Sequence, residues 1–146
     1  RFDGGFIRQL QGNELPHAPR FSATLTYEHD FAFPNGGKVT PRGTVHYETA
    51  SFLTYFNGDR KDRVVNGVPV YFGSAFDKQS AYTRSDLAVR YTAPGHKYVL
   101  EGFVQNVEDG RIRTSSAVSG YPRYAPVFLS LYQAPRTFGV RVKAAF

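Results

Sequence analysis

Four histidines, twelve acidic residues and no cysteine set the metal and catalytic chemistry open to this chain. His17, His29, His46 and His96 are dispersed. His46 and Glu48 stand two apart, so on an extended strand both project from one face. There they could ligate a metal or grip a ligand; the plainer reading is a solvated polar face. Asp86 and Glu101 fall on neighbouring predicted strands and could form a carboxylate pair, but with Arg90 facing them they read rather as ion-paired wall residues. The chain carries no Gly-x-Ser-x-Gly elbow and no His-Glu-x-x-His helix motif. Gly4-Gly5 and Gly36-Gly37 precede no predicted helix, so neither makes a phosphate cradle. With no nucleophile near a base in sequence, the expectation is a protein that is not an enzyme and needs no cofactor. Binding fits the residue types better. Glu48, Asp86, Arg90, Arg141 and Lys143 would line water on a polar face. Tyr71, Phe72, Tyr121 and Tyr124 sit in predicted loops, where they could touch a ligand or pack their own loop.

Such residues need elements to hold them, and the composition says which kind. The 146 residues include 10 Tyr, 13 Phe, 14 Gly and 9 Pro. Aromatics favour strands, and Gly and Pro punctuate them. Helix-period apolar stretches are absent, as is any apolar run near the length of a transmembrane helix. The net charge of +6 comes from Lys and Arg scattered singly, without the basic block that a nucleic-acid footprint requires. The N-terminus lacks the basic, apolar and small-residue order of a signal peptide, and it starts on Arg1, which suggests a fragment or a processed piece.

Period-two alternation marks about five strands. From Arg20 to Phe33, Phe21, Ala23, Leu25, Tyr27, His29 and Phe31 share one face, and Ser22, Thr24, Thr26, Glu28 and Asp30 the other. Lys38–Phe56 is the next strand, blurred by Phe52 and Phe56 on its polar face and by Pro41, which belongs at a strand end or bulge. Tyr82–Thr92 and Lys97–Asp109 follow, the latter with a possible continuation through Arg111–Thr114. The closing strand puts Phe138, Val140, Val142, Ala144 and Phe146 on an apolar face and Thr137, Gly139, Arg141 and Lys143 on the other. Tight turns at Pro34–Gly37 and Ala93–His96 follow the first and third strands; long connections, Asn57–Ser80 and Ser115–Pro126, follow the second and fourth. Short turns at one end and long loops at the other are the habit of outer-membrane barrels. The fold expected is all-β, an antiparallel membrane barrel meander with aromatic girdles at Tyr27, Tyr47, Tyr55, Tyr91 and Phe138. A soluble β-sandwich binding module, for example for carbohydrate, is the alternative, since it would bury the same aromatic face.

Three motifs sharpen this. GNELPHAPRFSATLTY, from Gly12 to Tyr27, resembles the Gly-x-x-Leu-Pro-x-x-Pro segment of TonB-dependent outer-membrane receptors, with Gly12, Leu15, Pro16 and Pro19 at the motif positions. LEGFVQNVEDGR, from Leu100 to Arg111, resembles their Asn-Leu-x-Asp element through Asn106, Val107 and Asp109. PRTFGVRVKAAF resembles their closing strand through Pro135, Arg136, Gly139 and the terminal Phe146. The resemblance covers nearly the whole chain. It implies that residues 1–146 are the C-terminal portion, about the last five strands, of a barrel of about 22 strands with a plugged lumen. It further implies a location in the bacterial outer membrane and TonB-energised import of a scarce nutrient. Ferric siderophore is the commonest cargo, with cobalamin and oligosaccharide the others. The partners implied are outer-membrane lipid, the cargo, the TonB complex through an N-terminal plug that this sequence lacks, and the barrel assembly machinery, which reads a terminal aromatic such as Phe146.

Overall fold

The structure, a computed structural model, describes residues 11–55, 57, 63–65, 68–70, 76–119 and 127–144. Among these residues the regular elements are strands, with 3-10 geometry at Pro94–His96 and at Phe76. The strands are β1 (Ser22–Glu28), β2 (Phe31–Ala32), β3 (Lys38–Glu48), β4 (Ser51–Phe52), β5 (Arg63–Val65), β6 (Val68–Val70), β7 (Lys78–Gln79), β8 (Tyr82–Thr92), β9 (Tyr98–Gln105), β10 (Arg113–Ser119), β11 (Val127–Tyr132) and β12 (Thr137–Ala144). The all-β, antiparallel expectation is met.

The chain divides into two compact units. One holds Phe21–Thr49, Ala81–Ile112 and the described residues from Tyr132 onward. It is a single antiparallel sheet in the order β1-β3-β8-β9-β12, with β2 also on β3. Spatial order follows chain order, so the sheet is a meander. It is open among the described residues: β1 and β12 lie at its two ends and no ladder joins them. The register runs unbroken, from Ser22 opposite Glu48 through Glu48 opposite Tyr82 on one side, and from Arg90 opposite Glu101 to Glu101 opposite Arg141 on the other.

The short turns form as their residues dictate. Gly36, at a φ of 83°, closes the first, where Phe33 N–H donates to the Gly37 carbonyl at 2.7 Å. In the second, Gly95 takes a φ of 66° and Ala93 N–H donates to the Tyr98 carbonyl at 3.0 Å. Pro41 lies inside β3, paired with Val89, rather than at its end. Its carbonyl accepts from His29 N–H, so this edge of Pro41 faces the gap between β1 and β2. The donor that proline lacks falls on that same edge, opposite His29, where the regular ladder is interrupted between β1 and β2. The register resumes unchanged beyond it, with Phe31 opposite Val39.

Several expected boundaries move. The second strand ends at Glu48, not Phe56; Leu53 and Tyr55 belong to the other unit, so Tyr55 is not part of the sheet's aromatic face. The fourth ends at Gln105, because Asn106 and Asp109 both adopt a φ of 53° and turn the chain; Arg113 then opens a separate strand rather than continuing β9. The connections expected as loops carry strands of their own. β5 pairs with β6 within the first, and β7, at its end, pairs with β4, which falls in the expected second strand; β10 pairs with β11 across the second, so Ser115–Ser119 is strand. These pairs fall in the second unit, where Asn57, buried at a φ of 54°, anchors the segment before β1. Its amide donates to the Glu14 carbonyl at 2.9 Å and accepts the Glu14 N–H. His17 N–H donates to the Phe52 carbonyl at 2.8 Å.

Pro41 and Thr44 make a matched test of this ladder. Pro41→Ala adds a donor beside a gap and should leave stability nearly unchanged. Thr44 pairs with Thr26 on one side and Asp86 on the other. Thr44→Pro should therefore cost about 1–3 kcal/mol, the usual penalty of an orphaned ladder group, read as a lower urea midpoint for the folded protein.

Candidate functional site

Because the register is in phase across five strands, the sheet has two unlike faces. One collects Ala23, Leu25 and Tyr27 from β1, Val45 and Tyr47 from β3, Leu87, Val89 and Tyr91 from β8, Tyr98, Leu100 and Val104 from β9, and Phe138, Val140 and Val142 from β12. It is uncovered: Leu25 is 73% exposed, Phe138 77%, Val140 68% and Val142 69%. Among the described hydrophobic residues only Leu53, Ala93 and Ile112 are buried. His29 sits on this face beside the short turn, stacked on Tyr27 with ring centroids 6.4 Å apart and edge-on to Phe31 at 4.5 Å.

The other face is polar and hollowed. A concavity of about 360 Å³ opens on it, lined by residues that include Glu28, Thr40, Arg42, Thr44, Arg90, Glu101 and Arg141. Cross-strand neighbours bond to one another on both sides of it, between β1 and β3 and among β8, β9 and β12. Thr26 meets Thr44 at 3.1 Å, and Arg42 lies 3.8 Å from Glu28. Arg90 donates through Nε and Nη2 to one oxygen of Glu101, at 3.0 and 2.9 Å, while Arg141 donates to the other at 2.6 Å. Only 13% of the Glu101 side chain is exposed, so two cations and the sheet itself enclose it. Arg141 also lies over the Phe103 ring, 4.3 Å from its centroid, which adds a cation–π contact.

The predicted site residues separate into groups. His46 and Glu48 are together: Thr24 Oγ1 and His46 Nδ1 are 2.8 Å apart, His46 Nε2 and Glu48 Oε2 3.3 Å, and Tyr82 donates to the same Glu48 oxygen at 3.0 Å. Both side chains are committed to neighbours on the wall, and among the described residues no group of three His, Asp or Glu is arranged to hold a metal. Arg90 and Asp86 both line the concavity, as expected, but they do not pair with each other. The register puts Arg90, not Asp86, opposite Glu101, so the carboxylate pair does not form. Asp86 instead lies 3.3 Å from Arg84 and accepts the Asn106 N–H at 2.8 Å. Tyr71, Phe72, Tyr121, Tyr124 and Phe146 lie outside the described residues. Spacing alone did not single out Glu28, Arg42, Tyr82, Arg84 or Phe103 as site residues. Their place shows only once the register is known.

The motif residues also divide. Gly12, at a φ of 89°, and Leu15, Pro16 and Pro19 stay in the second unit, Leu15 largely exposed. Asn106, Asp109, Pro135 and Arg136 meet at one corner of the sheet. Asn106 is fully buried; its amide donates to the carbonyls of Gly110 and Ala134 at 3.1 and 3.2 Å and accepts from Gly110 N–H at 3.0 Å. Asp109 accepts the Arg136 N–H at 3.0 Å, and Arg136 donates to the Val107 carbonyl at 3.4 Å. Glu108 accepts from both the N–H and the hydroxyl of Ser85. The hydroxyl bond, against the opposing effect of burial and with help from the N–H, holds the Glu108 carboxyl below its ordinary range. Gly139 lies opposite Phe103, and a Cβ there would stand 3.0 Å from the ring.

Comparison with known proteins returns no matching family model, no matching curated protein and no matching solved structure.

Two tests follow from this geometry. Gly139→Ala should cost about 1–3 kcal/mol, as overpacking does, and most of that cost should vanish in a Phe103→Leu background; a double-mutant cycle in urea measures the coupling. For Glu108, a lowered folded pKa adds stability above the unfolded value, and that stability is lost as pH falls through the folded one. Ser85→Ala should raise the Glu108 midpoint in a carboxyl NMR titration and shrink the stability lost on acidification.

Proposed function

We propose that this chain is a piece of the wall of a bacterial outer-membrane β-barrel, from the C-terminal portion of a TonB-dependent receptor. One observation carries the membrane reading: a five-stranded antiparallel meander leaves one whole face apolar and uncovered while the opposite face is a bonded polar lattice. Lipid suits the first and lumen water the second. Monomeric soluble proteins rarely leave so broad an apolar patch open, and each Leu, Val or Phe moved from water into an apolar medium gains about 1.5–3 kcal/mol. The alternation of short turns and long excursions supports the same reading, with Pro34–Gly37 and Pro94–His96 at the periplasmic rim.

The receptor assignment rests on the three motifs. Two of them, around Asn106 and Arg136, engage each other at one corner of the sheet, as one functional unit would. In this reading the intact protein of about 22 strands imports a scarce nutrient, a ferric siderophore before cobalamin or oligosaccharide. The polar face with Arg90 and Arg141 lines the path. Coupling to TonB runs through an N-terminal plug, and Phe146 addresses the assembly machinery. No bond chemistry is required of the wall.

The chain has no cysteine, so single cysteines report cleanly. Val140→Cys and Val142→Cys in the lipid-reconstituted protein should resist a water-soluble maleimide and give fluorophores quenched by brominated lipid. Arg141→Cys and Lys143→Cys should show the reverse. Equal aqueous labelling of all four, with the protein soluble without detergent, would support a soluble sandwich instead. The receptor assignment is tested apart from this: deleting Phe146 should lower outer-membrane levels at unchanged expression.

A further inference from the structure

We propose that the Asn106–Gly110 turn is a clasp that sets the register of β12 on β9. The need for one follows from the connections. Between β8 and β9 a single 3-10 turn, closed by Ala93 N–H on the Tyr98 carbonyl, leaves the strands little choice of register. β12 reaches β9 only after the β10–β11 excursion, and a connection that long imposes no register of its own. The two faces forbid a slip by one residue, because it would exchange apolar and polar side chains. They do not forbid a slip by two: Val140 would then face Leu100 or Val104 in place of Gly102, and every face would keep its character.

The clasp removes that freedom at the first residue of the strand. β12 begins at Thr137, opposite Gln105, the residue just before Asn106. One residue earlier, Arg136 N–H is fixed on Asp109 Oδ1, and two residues before that the Ala134 carbonyl is fixed on the Asn106 amide. The turn is itself fastened to β8. Val107 N–H donates to the Ser85 carbonyl at 2.9 Å and Asn106 N–H to Asp86. Asn106 and Asp109 are suited to this twice over. Each tolerates positive φ better than other residues with a side chain, and each uses its short polar group to bond the backbone. At the base of the excursion Gln133 N–H donates to the Ile112 carbonyl at 2.9 Å, closing its neck. The clasp therefore makes the order and register of the sheet's last strand independent of what the excursion does.

The test uses cysteine pairs in the full chain and applies in lipid, detergent or buffer, so it does not rest on the membrane reading. Leu100→Cys with Val142→Cys reports the native register, and Leu100→Cys with Val140→Cys reports a slip by two. Val39→Cys with Tyr91→Cys, opposed across β3 and β8, reports whether the sheet itself has formed. With the clasp intact the native pair should oxidise far faster than the slipped one. In N106A/D109A that preference should fall by about tenfold or more, the effect of losing a single well-made bond, while the Val39–Tyr91 pair still forms. An unchanged preference with an intact control overturns the proposal and assigns the register to Arg141, Glu101 and the Gly139–Phe103 fit. If N106A/D109A loses the control pair, D109A alone, which removes only the Asp109 bonds to Arg136, gives the deciding ratio.

Discussion

Main-chain pairing carries this molecule, because almost nothing else can. In a soluble domain a buried apolar core and the hydrogen-bond ladder share the work; here the described residues bury three hydrophobic side chains, and only Ala93 and Ile112 of these belong to the sheet unit. The order of β1, β3, β8, β9 and β12 is thus held by ladder bonds and by the cross-strand side-chain pairs that a correct register creates. A ladder out of register by one would turn Leu25 and Val140 onto the face of Glu101 and Arg90. The apolar face and the ionic lattice exist together or not at all.

That constraint explains where the unusual backbone sits. Both long connections leave the sheet and carry hairpins or short strand pairs, so neither can fix the strands it joins. At each excursion a buried asparagine with positive φ ties separate stretches of chain: Asn57 holds the Glu14 segment in one unit, and Asn106 holds Gly110 and Ala134 in the other. An asparagine amide can do this because it donates twice and accepts at once, satisfying backbone groups that a turn would otherwise leave bare. Replacing packing by such polar fasteners suits a sheet whose apolar side is left uncovered.

Alternation made the sheet legible in advance. β1, β8 and β12 follow the period-two pattern residue for residue, and the turn residues Pro34–Gly37 and Ala93–His96 marked the short links. The strands inside the excursions were not legible, for separate reasons. β4 and β7 are two residues each, too short for a period. Val127–Tyr132 follows a Pro- and Gly-rich stretch that reads as loop. Phe52 blurred the end of β3 because it had already left that sheet. Within the site, spacing placed His46, Glu48 and Arg90 on one face, yet it could not choose partners across strands. Asp86 stands on the expected face and still pairs with Arg84 and Asn106 rather than Arg90, since partner choice depends on the register between strands and on a turn twenty residues away.

The two readings of such a sheet differ in what they ask of the polar face. The outer face of a sandwich looks onto bulk water, where an exposed ion pair contributes only about 0–1 kcal/mol and side chains have little reason to order. A barrel wall looks onto a confined lumen, where an unpaired charge costs more and bonded neighbours are favoured. This face carries bonded neighbours. Glu101 is enclosed by two arginines that use both its oxygens, one of those arginines is also seated on Phe103, and Phe103 is itself fitted against a glycine. Along the row from Glu28 through Arg42, Arg90 and Glu101 to Arg141, each carboxylate has at least one arginine within 4 Å, and the three arginines outnumber the two carboxylates by one. On the reading proposed above, a solute passing this face would meet ion pairs and hydroxyls with a small positive excess, each carboxylate already held by an arginine.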